Sequence, residues 1–322
     1  MEEQGVQAGY GLAMDEVQAQ RVGQGKSPPT LRLYTYAPCA LVGRFQCLES
    51  ELRLDACRRL GIPVNRRPTG GGAIVMGPDQ LGVALTLPGA AEDGHRRARE
   101  LMADFSAGVV AGMAHLGVAA RFRGKNDVEI DGKKLAGLGV YRDPSGGLLY
   151  HASILVDLDV AYMLSVLSTP FEKITDKAIA TVEQRVSTMR REAPEPIGMR
   201  DALEAVAAGF AEVFGVQLAL DAYTLTEQND ASELRAMRYD TEEWVSQRIA
   251  TPDHSGLAKR KTAGGLLEVR VTTVGPTIKA VLIGGDFFAS DRAVADLEGA
   301  LRWHPVAEIG RASCRERVSN CV

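Results

Sequence analysis

Four short apolar segments between residues 120 and 156 constrain the fold more than any other feature of the sequence. Gly, Asp or Pro residues separate each segment from the next. Strands joined by such short turns pair with antiparallel neighbours, whereas parallel strands need a connection of about a dozen residues or more. A largely antiparallel sheet is therefore predicted. Its strands are expected at 120–122, 128–130, 135–141 and 148–156, with earlier strands at 31–36 and 81–87.

Amphipathic helices accompany the predicted strands. Between residues 96 and 116 an apolar side chain recurs at every third or fourth position, which is the spacing of one helix face. Helices are also predicted at 50–60 and 202–214, and the polar stretch 168–191 is interpreted as a loop or short helix crossing the surface. Helices packed on a mixed, largely antiparallel sheet give the fold class α+β.

The pattern of apolar and charged residues changes near residues 222–230. Beyond that point a charged helical stretch at 229–246 precedes two alternating strands within 265–283 and a helix at 291–301. These elements predict a second, smaller α/β unit. The last fourteen residues, 309–322, have no periodicity and contain two cysteines and three arginines, so we expect them to be a non-native tail.

Composition places the chain among ordinary globular proteins. Of its 322 residues 45% are hydrophobic and 24% charged, and 37 basic against 41 acidic side chains give a net charge of −4. This balance excludes collagen-like, disulfide-scaffold and mostly disordered chains. The negative net charge also provides no overall positive potential that would attract nucleic acid or an acidic membrane surface. Five cysteines without a C-x-x-C pair, and the lack of a signal peptide or long apolar run, lead us to expect a cytoplasmic protein without a nucleic-acid or membrane partner.

Three consecutive glycines follow two arginines in the segment 66–73, which has the sequence Arg-Arg-Pro-Thr-Gly-Gly-Gly-Ala. Glycines permit positive φ angles and let a ligand approach main-chain N–H groups, and arginine donates paired hydrogen bonds to a carboxylate or phosphate. The segment fits neither a Walker A loop nor a dinucleotide fingerprint. It is either an anion-binding loop or a glycine-rich hairpin with two solvated arginines.

A second polar cluster lies between residues 124 and 153. Asn126 and Asp127 offer the oxygen ligands that Mg²⁺ uses beside a triphosphate. Lys133 and Lys134 enter a strand between two glycines, where an ammonium group can stabilise charge developing on a phosphoryl or acyl oxygen. Taken singly, these residues are also explained by β-turns and a solvated edge strand, and His151 by a structural histidine. No zinc-ligand spacing or nucleophile elbow is present.

Taken together and in order, these segments resemble the biotin/lipoate protein ligase superfamily, and within it the lipoate-protein ligase A family. The resemblance spans about residues 8–222. It implies a ligase-like catalytic domain at 1–222 and a C-terminal accessory domain at 230–308, which we expect to be truncated. The matching motifs are the R-R-x-[ST]-G-G-G-A loop at 66–73, G-[RK]-N-D at 124–127, G-x-K-[ILV]-x-G at 132–137, the histidine strand at 151–157, and a crossover motif at 171–173 and 182–190.

The resemblance implies a two-step acyl transfer that uses ATP and Mg²⁺. The carboxylate of lipoate or octanoate attacks the α-phosphate of ATP, pyrophosphate leaves, and the acyl adenylate then acylates a lysine of an acceptor protein. The implied acceptors are lipoyl domains, such as those of 2-oxo acid dehydrogenase E2 subunits, and the glycine-cleavage H protein.

The same resemblance assigns roles to individual residues. Lys134 is implied to be the catalytic lysine, in contact with the carboxyl oxygen and the α-phosphate, whereas Lys133 occupies a variable position of the motif and has no implied role. Asn126 and Asp127 are implied to meet the nucleotide, with Mg²⁺ near Asp127. The residues implied to line the substrate and acyl-adenylate pocket are Arg66, Arg67, Gly70, Gly71, Gly72, Ala73, Lys134, Gly137 and His151, with Val75 and Leu138 extending its apolar part.

The chain departs from the family pattern at three places, and two alternatives stay open. Met76-Gly77 stands where many members have His-Asp, Asp79-Gln80 where they have Gly-Asn, and His151-Ala152-Ser153 where they have His-Gly-Thr. The first alternative is an ATP-independent octanoyl or lipoyl amidotransferase, which forms a thioester on a cysteine; no cysteine occurs between residues 58 and 313. The second is a non-catalytic acyl-binding paralogue, for which Lys134, Asn126 and Asp127 would be unnecessary.

Overall fold

A computed structural model describes residues 1–89, 98–168, 174–248 and 254–306. Its largest sheet has seven strands, which are β1 (Glu2–Val6), β2 (Thr30–Tyr36), β6 (Gln80–Pro88), β7 (Arg121–Arg123), β8 (Asp127–Ile130), β9 (Lys133–Arg142) and β10 (Gly147–Leu155). They lie in the order β1-β2-β6-β10-β9-β8-β7. Every neighbouring pair is antiparallel except β1 with β2. The predicted α+β class with a largely antiparallel sheet is confirmed.

Helices cover both faces of this sheet. Helices α4 (Ala98–His115) and α8 (Met199–Phe214) pack on one face and α1 (Ala8–Gly23) on the other. Because successive strand residues point to opposite faces, Tyr150 packs in the α4/α8 core while its neighbour Leu149 packs in the α1 core. The candidate site lies on the α1 side of the sheet.

A small three-stranded sheet frames the glycine-rich segment. It consists of β3 (Cys39–Val42), β4 (Val64–Arg66) and β5 (Ile74–Met76), and the glycines connect β4 to β5. The single helix expected at 50–60 is in fact two, α2 (Leu48–Glu51) and α3 (Leu54–Leu60). The interruption occurs because buried Leu52 leaves the helix and forms a β-bridge with Leu167.

The segment predicted to be a loop or short helix contains two short helices. Helix α5 (Val160–Val166) precedes it, and α6 (Asp176–Glu183) and α7 (Met189–Glu192) lie within it. The part of the crossover motif at 171–173 lies outside the described residues.

The C-terminal part contains two structural groups. Helix α9 (Leu225–Leu234), a π-helical turn (Arg235–Tyr239) and α10 (Glu242–Val245) pack against α1 and β4. A third sheet follows, with β11 (Gly256–Thr262), β12 (Gly265–Val274) and β13 (Thr277–Gly285), and α11 (Asp291–Leu301) covers it. The sequence reasoning found β12, β13 and α11 but missed β11. The proposed domain boundaries remain predictions, and the tail at 309–322 lies outside the described residues.

Within the part of the chain that the structure describes, no helix combines the length and the apolar character that crossing a membrane requires.

Candidate active site

Three glycines on the α1 side of the large sheet leave room for side chains to lie flat on it. A Cβ atom at Gly139 would lie 2.3 Å from His151 Nε2, and one at Gly82 would lie 2.4 Å from the Tyr34 ring. A Cβ at Gly137 would lie 3.1 Å from Lys134 Nζ. A real Cβ atom does not approach another heavy atom within 3.0 Å, so His151 and Tyr34 keep their places because residues 139 and 82 are glycines.

The glycine-rich segment is held between the sheet and the C-terminal unit. A Cβ at Gly70 would lie 2.1 Å from the main-chain oxygen of Phe287, so only glycine permits this approach. Gly71 has φ of 99°, in the region that favours glycine. Around Gly72 there is open space. Gly70 and Gly71 are buried, whereas Gly72 is exposed, so the main chain is accessible to a ligand at Gly72.

A largely apolar pocket lies beside this segment, between α1 and the sheets. Its polar lining includes Asp15, Arg67, Thr69, His151 and Ser153. Its other walls are formed by Leu12, Tyr34, Tyr36, Leu41, Pro68, Ile74, Met76, Leu149 and Ala152.

Arg67 brings an unpaired positive charge into this pocket. Its side chain is buried, and it donates hydrogen bonds only to main-chain oxygens, including that of Gly72 at 2.8 Å. Its Nε has no hydrogen-bond partner, and no carboxylate within the described residues forms an ion pair with it. Burial lowers the pKa of Arg67 to about 10, so it remains charged at neutral pH. A buried cation without a counter-ion attracts an anionic group.

Arg66 has a different environment from its neighbour. Its Nη1 donates to the main-chain oxygens of Gly43 and Gln46 at 2.9 and 2.7 Å, and its Nη2 to that of Val245 at 2.9 Å. Its Nε donates to the main-chain oxygen of Trp244 at 3.2 Å. The structure therefore does not bring Arg66 into the pocket, because its guanidinium group as a whole joins the residue 43–46 turn to the segment around α10.

His151 is a neutral imidazole in the folded protein. Burial lowers its pKa to about 3, and the nearby Arg67 guanidinium acts in the same direction. Its Nε2 lies 2.8 Å from Thr69 Oγ1, which joins the large sheet to the glycine-rich segment. His151 can therefore orient Thr69 and line the pocket, but it does not offer a cation there at neutral pH.

This low pKa predicts that the protein loses stability in mild acid. In the unfolded chain His151 binds a proton below about pH 6.5, whereas in the folded protein it does so only near pH 3. Stability from this group is thus lost as the pH falls from about 6.5 towards 3, by roughly 2 kcal/mol between pH 7 and 5. Urea unfolding at both pH values checks this. The His151→Gln variant should lose about 2 kcal/mol less over the same interval, and an equal loss in both proteins would contradict the expectation.

Lys134 and Asp127 form an ion pair on the α1 side of the sheet. Lys134 Nζ lies 2.5 Å from Asp127 Oδ1, and both side chains are partly exposed. The Cβ position of Gly137 lies 3.1 Å from Lys134 Nζ and 3.6 Å from Ser153 Oγ, and Ser153 lines the pocket. The ammonium group therefore lies beside the pocket, where charge developing on a bound ligand would be close to it.

Asn126 faces the glycine-rich segment. Its Nδ2 donates to the main-chain oxygen of Leu138 at 3.0 Å. The Cβ position of Gly71 is 3.9 Å from that Nδ2 and 3.5 Å from Arg67 Nη2. An amide and a guanidinium group thus converge on Gly71, next to the exposed Gly72.

The C-terminal unit contacts the same region. Lys125 Nζ donates to the main-chain oxygen of Asp286 at 2.5 Å and lies 5.2 Å from the centre of the Phe288 ring. The Phe287 ring stacks on Phe45 with ring centres 4.9 Å apart. The turn at 286–288 therefore forms one boundary of the site beside Gly70.

The sequence of the chain matches that of a known protein family. Residues 7–211 match the sequence model of the lipoyl protein ligase A/B catalytic domain. The chain belongs to this family. The resemblance found in the motifs is thereby confirmed, and the protein is an enzyme of the lipoate ligase and transferase superfamily.

Members of the lipoyl protein ligase A/B family with both kinds of activity are similar to the chain. The octanoyltransferase LipM of Symbiobacterium thermophilum is 30% identical over 261 residues, which are 72% of this chain and 92% of that relative. The bi-partite lipoate protein ligase of Thermoplasma acidophilum has a structure with 28% identity and a TM-score of 0.68, covering 78% of this chain and 97% of that one. A lipoate-protein ligase A structure with bound ATP has 25% identity and a TM-score of 0.66, covering 77% and 100%.

Most of the predicted site residues lie close together in the structure. Arg67 and His151 line the pocket, and the segment beside it contains Gly70, Gly71 and Gly72, of which Gly72 is exposed. Next to the pocket and this segment lie Asn126, Asp127, Lys134 and Gly137. Their chemical roles stay predictions.

The apolar walls differ from the predicted ones. Ala73 and Val75 pack with Ala40 and Val42 in a separate core, because strand alternation turns Ile74 and Met76 towards the pocket instead. Leu138 likewise lies in the α4/α8 core on the opposite face of the large sheet. Met76, one of the departures from the family pattern, contributes an apolar surface to the pocket.

Helix α1 supplies pocket residues that the sequence reasoning missed. Leu12 and Asp15 both line the pocket. Asp15 accepts hydrogen bonds from Arg32 Nη1 at 2.8 Å and from the Tyr34 hydroxyl at 3.3 Å. Burial raises the pKa of Asp15, and the Arg32 guanidinium opposes that effect.

Proposed function

We propose that the protein activates lipoate or octanoate with ATP and transfers the acyl group to a lysine of a lipoyl-acceptor domain. One observation supports this most directly: the unpaired, buried Arg67 guanidinium lies in a largely apolar pocket beside the Lys134–Asp127 pair. A fatty acid has the matching parts, because its carboxylate needs a cation and its chain needs an apolar cavity. The similar ligase structure that contains ATP supports the nucleotide dependence.

In the first step Arg67 would hold the carboxylate while the acyl chain occupies the pocket. A carboxylate oxygen then attacks the α-phosphate of ATP, and the bond to pyrophosphate breaks. Lys134 Nζ would stabilise the negative charge that builds up on the phosphoryl oxygens, and Asp127 keeps the ammonium group in place. Because His151 is neutral, it does not compete with Arg67 for the carboxylate.

The residues near Gly71 fit a nucleotide. The exposed main chain at Gly72 and the half-buried Asn126 amide are available to phosphate oxygens. Asp127 is a suitable single carboxylate for Mg²⁺, which usually takes one or two protein carboxylates together with substrate phosphates. When bound, Mg²⁺ would neutralise phosphate charge.

In the second step the neutral amine of the acceptor lysine attacks the carbonyl carbon of the acyl adenylate. An amide bond forms, the bond between the acyl carbon and the phosphate oxygen breaks, and AMP leaves. Negative charge moves first to the carbonyl oxygen and then to the phosphate. Lys134, fixed beside the pocket, is positioned to stabilise both changes.

The cysteines favour a ligase over a cysteine-dependent transferase. The three cysteines in the described residues, Cys39, Cys47 and Cys57, are all buried. Burial raises the pKa of the Cys39 thiol to about 12 and also raises that of Cys57. A nucleophilic cysteine needs the opposite shift and some exposure. The similarity to LipM octanoyltransferases nevertheless makes ATP-independent octanoyl transfer the second candidate.

ATP–pyrophosphate exchange with lipoate, octanoate and biotin supplied separately tests the proposal. We expect exchange that depends on lipoate or octanoate. Absence of exchange with every acid, combined with octanoyl transfer from a thioester donor without ATP, would replace the ligase by the transferase. Absence of both reactions would favour the non-catalytic acyl-binding protein.

A further inference from the structure

Four basic side chains surround the outer edge of the large sheet next to Lys134. Arg121 and Arg123 lie on β7, Lys133 begins β9, and Arg185 follows α6. The three arginines are exposed and Lys133 is half-buried. Within the described ranges none of the four forms a side-chain hydrogen bond or an ion pair, whereas Lys134 between them is paired with Asp127. We refer to these four residues as the basic rim.

The strand register places the basic rim close to the site. β7 is the last strand of the sheet, and Arg123 lies opposite Asp127 on β8, which in turn lies opposite Gly137 on β9. Residues opposite one another in antiparallel strands share a face. Arg123 is therefore on the face of Asp127 and Gly137, and with strands about 4.8 Å apart it lies roughly 10 Å from the strand that carries Lys134.

Arg185 approaches Lys134 from the other direction. Its main-chain oxygen accepts a hydrogen bond from the Lys134 main-chain nitrogen at 2.9 Å, and Val186 forms a β-bridge with Lys134. The unpaired cations thus flank the reactive position on two sides. This local excess of positive charge contrasts with the net charge of −4 for the whole chain.

A basic rim beside the reactive position has a consequence for the second substrate. The target lysine is itself a cation before it reacts, so a free amine or a basic protein is repelled from this edge. A domain whose target lysine is surrounded by acidic side chains is attracted instead, and opposite charges across an interface raise both the association rate and the discrimination between partners.

We propose that the basic rim docks the acidic surface of the acceptor domain and so selects which protein lysine is acylated. This inference rests on the proposed function. An alternative occupant is the triphosphate of ATP, but Arg121 and Arg123 lie on the strand beyond Asp127, which is the edge strand of the large sheet, whereas the exposed Gly72 belongs to the segment between β4 and β5.

The double variant Arg121→Glu/Arg123→Glu tests the proposal. Its probe is an isolated apo lipoyl domain that the wild-type protein modifies, and binding is measured by calorimetry without ATP. We expect the dissociation constant to rise about tenfold or more at low salt, with a smaller difference at 0.5 M salt because salt screens exposed charges. The matched control is Arg260→Glu/Lys261→Glu, since these residues lie exposed on β11, an edge strand of the C-terminal sheet β11-β12-β13.

Three results would overturn the inference. They are unchanged binding in the rim variant, equal weakening in the control variant, or a raised KM for ATP in pyrophosphate exchange, which would assign the basic rim to the triphosphate. The proposed function is tested separately. If wild-type exchange is absent but the rim variant still binds the lipoyl domain more weakly than the control does, ligase activity fails and acceptor docking at the rim stands.

Discussion

Replacing Lys134 with alanine is expected to slow lipoate-dependent ATP–pyrophosphate exchange by on the order of 10²–10³-fold, which is the usual effect of removing one group that stabilises transition-state charge. The loss has two physical sources. The ammonium beside the pocket disappears, and Asp127 keeps its negative charge without the partner that now lies 2.5 Å away. An unpaired carboxylate next to the site repels phosphate oxygens. Exchange rates at saturating ATP and acid measure the effect.

Lys133→Ala is the matched control for this experiment. The residue has the same side chain one position away, and successive strand residues point to opposite faces. We expect this variant to exchange within about twofold of the wild type. An equal loss in the two variants would show that general positive charge at the edge matters rather than the position of Lys134, and the assignment of Lys134 would be wrong.

Most of the antiparallel sheet could be predicted because its strands are apolar segments bounded by turn residues, but β1, with the sequence Glu-Glu-Gln-Gly-Val, lacks that pattern and was missed. Helix α1 could not be predicted in this way. Twelve of its sixteen residues are buried, including Asp15 and Glu16, so it lacks the contrast between a polar and an apolar face on which helix prediction relies. β11 was missed for the opposite reason, since all of its residues are exposed and basic residues dominate its centre.

The candidate site could be predicted where a motif names a residue but not where alternation decides the direction of a side chain. Gly137 and His151 were found because they belong to motifs. Val75 was predicted to line the pocket, but its neighbours Ile74 and Met76 line it instead. The strand that follows the glycines has no polar residue from which the side chains facing the pocket could be predicted. Arg66 differs from Arg67 because it contacts residues 43–46 and 244–245. Both segments are distant from the arginines in sequence, so these contacts could not be predicted.

Replacing Arg67 with methionine is expected to raise the KM for lipoate or octanoate roughly 10–100-fold, since a hydrogen bond to a charged group contributes about 1.5–3 kcal/mol. Methionine keeps much of the side-chain volume and the apolar character of the pocket. The wild-type guanidinium is buried without a counter-ion, so the desolvation cost relieved by its removal offsets part of the loss of its hydrogen bonds to the main-chain oxygens of Leu41 and Gly72. The KM for ATP should change much less than the KM for the acid.

The neighbouring Arg66→Met variant should behave in the opposite way. Its guanidinium donates to several main-chain oxygens from two parts of the chain, and removing it leaves those buried oxygens without donors. We expect a loss of roughly 3 kcal/mol in stability and a Tm lower by about 5–10 °C, with a smaller change in the KM for the acid. Measuring KM and Tm for both variants decides the matter. If Arg66→Met raised the KM for the acid as much as Arg67→Met without lowering Tm, both arginines would bind the carboxylate, and the guanidinium of Arg66 would have to leave its main-chain partners when substrate enters.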